Sequence, residues 1–198
     1  MKKQRIETSD YVGEFINKKF SKILFPYIDK IFFMSPNFLT TLRNILVIYI
    51  YYSIIKKKYF HNQGLLVILV GILDILDGCY ARDYNMTTSF GDWYDHISDW
   101  ISTVILFYIL FKTLKNKKYI LFPLLFLIFT TLNTMCSEKL NNKIYKKEVL
   151  RNSLQSAENI CPFNTEKEIV DYLKKYRYFG YGTYYLVMGL IYAKLPLI

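Results

Sequence analysis

Four aspartates stand at helical spacing in this chain: Asp74 and Asp77 in Asp74-Ile75-Leu76-Asp77-Gly78-Cys79-Tyr80-Ala81-Arg82, and Asp95 and Asp99 in Gly91-Asp92-Trp93-Tyr94-Asp95-His96-Ile97-Ser98-Asp99. Residues three or four apart share a face of a helix. Asp74, Asp77 and Ala81 therefore line one stripe, and Gly91, Asp95 and Asp99 line another. Only eight residues separate Arg82 from Gly91, so the two helices are expected as antiparallel neighbours with facing stripes. Carboxylates gathered away from water repel one another and take up protons. Divalent cations relieve that repulsion, and an oxygen-only ligand set suits Mg²⁺ or Mn²⁺. Two such ions clamping phosphoryl oxygens are a common arrangement for displacement at phosphorus. Gly78 and Ala81 let a ligand approach the backbone, and Arg82 can meet a phosphate with a forked pair of hydrogen bonds.

The elements that carry these residues are apolar. The 198-residue chain is 53% apolar and 18% aromatic, yet its formal charge is +10. A soluble domain of this size cannot bury so large an apolar fraction, whereas a bundle facing lipid is apolar on its outside as well. The lysines are scattered between apolar runs and form no basic face, which argues against nucleic-acid binding. They fall at segment ends, where they reach anionic headgroups. Carboxylates inside such segments are functional by default. Helix capping would account for Asp77 or Asp99 singly, but poorly for four in register. Asp83 reads as a loop residue and Asp92 as a helix N-terminal charge. His96 and Cys79 read as packing or hydrogen-bonding residues.

Apolar residues from Val12 to Ile31 recur at helical spacing with Lys18, Lys19, Lys22 and Lys30 between them. This predicts an N-terminal amphipathic helix on the membrane surface over residues 1–33, kinked or ended at Pro26. A membrane domain follows over 34–198. Its apolar stretches are Leu39–Tyr59, Gly64–Leu76, Trp100–Leu114, Tyr119–Met135 and Tyr178–Ala193. Their uncharged cores fall short of the ~20 residues that span a bilayer, so charged positions lie within or beside the spans; Arg43 is expected to snorkel. Thr165-Glu166-Lys167-Glu168 reads as a capping box opening a helix through Ile169, Val170 and Leu173. The fold class is an all-α integral membrane protein, a bundle of about six spanning helices, with one of them short or hidden within Val149–Phe163. Basic residues lie on both sides, so charge does not fix orientation. The three cysteines, an odd number without CxxC spacing, predict neither a disulfide framework nor a zinc site. The polar start, Met1 to Asp10, predicts no cleavable signal peptide.

The pattern D-x2-D-G-x2-A-R-x8-G-x3-D-x3-D, eight fixed residues over the twenty-six positions from Asp74 to Asp99, resembles the signature of the CDP-alcohol phosphotransferases. Upstream, Pro36-Asn37-Phe38-Leu39-Thr40 is similar to that family's P-N-x-x-T element, and Arg43 follows it. The resemblance implies a six-helix membrane fold, usually homodimeric, with its site opening to the cytosolic face. It implies that Asp74, Asp77 and Asp95 hold two metal ions, and that Asp99 completes the second site and acts as the base. Asn37, Thr40, Gly78, Ala81, Arg82 and Thr88 would line the CDP moiety. The short chain and Arg43 resemble the branch that moves a phosphatidyl group from CDP-diacylglycerol to inositol, glycerol 3-phosphate or serine. Asp95-His96 resembles the alternative branch, whose usually longer members transfer phosphocholine or phosphoethanolamine from CDP-choline or CDP-ethanolamine to diacylglycerol. A cation pathway would spread its acidic residues along several helices. Here they sit at the end of one helix and the start of the next. A lipid-binding relative without catalysis would be expected to lack part of the motif.

Overall fold

The computed structural model describes residues 10–28, 30, 35–56, 62–144 and 159–194, and among them it is helical with no strand. Helix α1 spans Tyr11–Phe15 and runs through a π-helical turn, Ile16–Phe20, into α2, Ser21–Ile28. The long helices are α3 (Pro36–Ile55), α4 (Gln63–Asp83), α5 (Ser89–Thr113) and α6 (Leu121–Ile144), the last entered by a 3-10 turn at Lys117–Ile120. Two shorter helices follow, α7 (Glu166–Lys175) and α8 (Tyr181–Lys194).

Local chemistry starts and stops these helices where the aspartates need them. Ser35 caps α3, its hydroxyl accepting from the Phe38 amide at 3.2 Å, with Pro36 in the first turn. Asn85, at φ 55°, closes α4 in the left-handed conformation that asparagine tolerates. The Met86 amide donates back to the Ala81 carbonyl at 2.8 Å, the long bond of a Schellman closure. Thr88 then caps α5, accepting from the Gly91 amide at 3.0 Å. Asp83 is accordingly the last residue of α4, where the sequence suggested a loop. The capping box at Thr165 and Glu168 is present as expected. Amide donation from Thr165 holds the Glu168 carboxyl below the usual range.

The principal core joins Val47 and Ile50 of α3, Val67 and Val70 of α4, Leu106 and Leu110 of α5, and Tyr184, Met188 and Tyr192 of α8. α4 and α8 approach closest, through glycine. A Cβ on Gly71 would lie 2.3 Å from Tyr185 Cβ, and one on Gly64 would lie 2.4 Å from the Gly189 carbonyl oxygen. Small residues at such a crossing let backbones meet without the hydrophobic drive that water supplies. Outward, residues such as Ile48, Tyr52, Leu65, Val104, Phe122 and Ile128 are exposed; in water this surface would aggregate, and in lipid it is solvated.

Among the described residues, α3, α4 and the stretch Lys117–Leu140 are long and apolar enough to cross a membrane. α5 is as long, but its first turns carry the aspartates, and α8 has fourteen residues. The span expected within Val149–Phe163 lies mostly outside the described residues.

Two further expectations are corrected. First, α4 and α5 are not packed neighbours. Each packs on α3, and the two make at most marginal backbone contact with one another. Second, Cys136 in α6 and Cys161 before α7 form a disulfide, their Cα atoms 5.0 Å apart. The apolar cluster of Leu140, Ile169 and Leu173 brings the two sulfurs together, and spacing along the chain carries no trace of that meeting. The N-terminal helices also pack on the bundle. Ile16 and Phe25 are buried against Leu73, Leu76 and Tyr80 of α4. Asp10 caps α1, accepting from the Gly13 amide at 2.8 Å, and Glu14 pairs with Arg177 ahead of α8. Phe15, Ile23 and Tyr27 point outward.

Candidate active site

The chain runs away from one end of the bundle in α3, returns to it in α4 and leaves it again in α5. That end therefore gathers the start of α3, the last turns of α4 and the first turns of α5. Asn37, Thr40 and Arg43 come from the first of these, Asp74 to Arg82 from the second, and Gly91, Asp95 and Asp99 from the third. Polar side chains fix α5 to α3 near the site: Asn44 Nδ2 donates to Ser98 Oγ at 2.9 Å, and the Thr41 and Tyr94 hydroxyls are 2.9 Å apart.

At the centre lies Arg43, whose side chain is 0% exposed. Its Nη1 pairs with Asp74 Oδ1 and lies 2.7 Å from Asp99 Oδ1 and 3.2 Å from Asp95 Oδ1. Nη2 donates to the Asp95 carbonyl at 3.3 Å. The expectation that Arg43 snorkels is thus overturned. Carboxylates on both flanking helices hold its charge within the bundle, where an unpaired guanidinium would be prohibitively costly. Asp77 is bound differently: its Oδ2 accepts from the Thr40 hydroxyl at 2.7 Å, and its Oδ1 has no hydrogen-bond partner although the residue is 3% exposed.

Asp95, His96 and Asp99 each offer a donor atom within 4.8 Å of the others. His96 Nε2 lies 3.9 Å from Asp92 Oδ1, and its Nδ1 lies 4.0 Å from Asp95 Oδ2. Sequence reasoning set His96 aside and missed Arg43. Arg43 had a signal: it falls three residues after Thr40 on the same face of α3, a position that leads inward.

The donor set fits a hard divalent cation. Three carboxylate oxygens from two helices converge on one cationic nitrogen, and a fourth carboxylate, on Asp77, keeps a buried oxygen without a partner. Carboxylate oxygens are the ligands Mg²⁺ and Mn²⁺ prefer.

The residues expected to line a CDP moiety fall into two groups around this centre. Asn37 and Thr88 flank Gly91, where a Cβ would meet Thr88 Oγ1 at 3.0 Å and Asn37 Oδ1 at 3.1 Å. Gly78 faces the Arg82 guanidinium, whose Nη1 would lie 3.2 Å from a Cβ at that position. Ala81 and Arg82 are half-buried and Thr88 is exposed. Thr40 and Thr88 already have structural bonds, Thr40 to Asp77 and Thr88 as the cap of α5.

Aspartates of α4 and α5 thus meet around Arg43 at one end of a bundle of apolar helices. The chain belongs to the CDP-alcohol phosphatidyltransferase family, whose profile matches residues 33–154. Over 70 residues it is 41% identical to the CDP-diacylglycerol–glycerol-3-phosphate 3-phosphatidyltransferase of Rickettsia typhi, covering 32% of this chain and 37% of that one. The protein of the same name from Rickettsia felis is 43% identical over 70 residues, covering 32% of this chain and 36% of the relative. The match thus spans little more than a third of these relatives' length. No solved structure matches the chain.

Proposed function

We propose that this protein transfers a phosphatidyl group from CDP-diacylglycerol to a small polar alcohol, with glycerol 3-phosphate as the acceptor and CMP as the leaving product. The observation that carries the reading is the convergence of Asp74, Asp95 and Asp99 at the bundle end that also holds Asp77, Gly78 and Arg82. The names of the relatives support the donor and the acceptor.

Asp74, Asp77, Asp95 and Asp99 would hold two divalent ions, Mg²⁺ or Mn²⁺. When bound, such ions supply Lewis-acid polarisation of the donor's phosphoryl oxygens. Asp99 is the base. Its Oδ1 faces Arg43, which leaves Oδ2 to take the proton of the acceptor hydroxyl. The acceptor oxygen then forms a bond to the phosphorus that bears the diacylglycerol. The pyrophosphate P–O bond breaks, and CMP departs with the electron pair. Arg82, folded over Gly78, offsets the negative charge that develops on CMP. Asn37, Ala81 and Thr88 line the CDP moiety, and Thr40 acts on it through Asp77. Residues 34–198 form the membrane domain, a homodimer whose active end faces the cytosol. The outward row of Phe15, Ile23 and Tyr27 suits the membrane surface at that end.

The test uses purified protein in detergent with Mg²⁺ or Mn²⁺. It is offered CDP-diacylglycerol against glycerol 3-phosphate, inositol and serine, and CDP-choline against diacylglycerol, with CMP release and the lipid product measured. Release with CDP-diacylglycerol and glycerol 3-phosphate is expected. Release only with CDP-choline would replace this reading with that of a headgroup phosphotransferase, and no release with any pair would end the enzymatic reading.

A further inference from the structure

We propose that Arg43 is a built-in counter-ion of the carboxylate cluster, standing where a divalent ion would sit and giving up that position when the ion enters. The proposal rests on the metal-binding reading above and adds a role for a residue outside the aspartate motif.

The geometry of one atom carries it. Nη1 of Arg43 faces oxygens of Asp74, Asp95 and Asp99, at 2.7 Å for Asp99 and 3.2 Å for Asp95. These oxygens come from two helices that barely touch, so the point on which they converge lies in the gap between α4 and α5. Any cation drawing on both pairs of aspartates has to occupy that gap. An ion with oxygens at ~2.0–2.1 Å and a guanidinium nitrogen cannot share the point at which three oxygens meet.

The rest of the guanidinium is poorly satisfied, as suits a group that has to move. Arginine offers five donors in a planar fork that matches a carboxylate edge-on. Here Nε has no hydrogen-bond partner, and Nη2 reaches only a backbone carbonyl at 3.3 Å. Arg43 is held by charge more than by hydrogen-bond geometry. Its single positive charge leaves three of the four aspartate charges uncompensated, so the cluster still attracts ions. Without Arg43 the metal-free site would hold four carboxylates, Asp77 buried and the other three half-buried, with no arginine among them, which costs folding stability. The arginine thus holds the ligands together in the metal-free protein, and it repels and competes with the incoming ion.

The experiment compares the full chain with Arg43→Gln and Arg43→Lys in detergent. Mn²⁺ binding is followed by loss of the free-ion EPR signal, and thermal midpoints are measured with and without Mn²⁺. Arg43→Gln is expected to bind Mn²⁺ at least about tenfold more tightly, a conservative figure for removing one neighbouring positive charge. Its metal-free midpoint should fall, and Mn²⁺ should raise it by more than in the unaltered protein. Folding of Arg43→Gln only when Mn²⁺ is present would be the extreme form of the same result. Arg43→Lys, which keeps the charge, should bind close to the unaltered protein. Equal or weaker Mn²⁺ binding by Arg43→Gln overturns the proposal, as does an equal loss of midpoint with and without Mn²⁺, or failure to fold in either condition. If the unaltered protein binds no Mn²⁺, the metal reading fails along with it, an outcome distinct from the others.

Discussion

Thr40→Val separates two roles for one hydroxyl. Thr40 is 2% exposed and carries one proton, with two acceptors in reach: Asp77 Oδ2 at 2.7 Å and the Pro36 carbonyl at 3.2 Å. The shorter contact is to a charged group, so the proton goes to Asp77. Valine has the same shape and opens no cavity, but it removes that bond. Asp77 then has neither oxygen hydrogen-bonded, because Oδ1 has no partner to begin with. A hydrogen bond to a charged group contributes about 1.5–3 kcal/mol. If that amount is lost from the reacting arrangement, kcat/KM falls roughly 10- to 150-fold. The assay is CMP release from CDP-diacylglycerol across a range of Mg²⁺ concentrations. The Val variant should need more Mg²⁺, while Thr40→Ser should stay within about threefold of the unaltered rate because the hydroxyl remains. A raised KM for CDP-diacylglycerol with an unchanged Mg²⁺ requirement would mean that Thr40 touches the donor, as the family pattern suggests. Unchanged kinetics in the Val variant, or a Ser variant as poor as Val, would refute the assignment to Asp77.

Four further outcomes are expected. Asp99→Asn should lower CMP release at least ~100-fold while largely retaining donor binding, since the amide cannot take the proton but still offers an oxygen to an ion; substantial activity in that variant would rule out Asp99 as the base. Gly71→Ala should destabilise the protein by about 1–3 kcal/mol, read as a lower thermal midpoint, because its Cβ would lie 2.3 Å from Tyr185 Cβ. Gly78→Ala meets only the mobile end of Arg82, at 3.2 Å, so it should keep the midpoint and raise the KM for the donor. Reducing the Cys136–Cys161 bond, which closes a sequence separation of 25 residues, should cost about 3 kcal/mol of stability. Cys79→Ala should leave the response to reductant unchanged, and a thermal midpoint insensitive to reductant would show that the bond does not form in solution.

The sequence was most informative where chemistry imposes a period. The aspartate stripes, the helix from Gly91 through Leu114 and the cap at Thr165 all depend on residues within a few positions of one another. It was silent where distant segments meet. Arg43 looked like a charge at a span's edge because hydropathy treats a charge as a cost to be moved outward. Its burial depends on carboxylates 31 positions away at Asp74 and 52 away at Asp95. That α3 intervenes between α4 and α5 could not be read from a short connection, which brings two helix ends together without fixing how their lengths pack. Cys136 with Cys161, and Glu14 with Arg177, are likewise meetings that only the folded chain arranges.

The division between α4 and α5 gives the site the mechanics of a vice. Asp74 and Asp77 form the fixed jaw, because the glycine seam locks α4 to α8. Asp95 and Asp99 form the other jaw, carried on α5 and joined to α3 by Asn44–Ser98 and Thr41–Tyr94. α3 is the shim that sets the opening. Side chains on the flank of α3 facing α5 therefore set the distance between the two aspartate pairs. Changing their bulk would retune how far apart two ions, or an ion and a phosphate, can sit, without altering any group that touches either one.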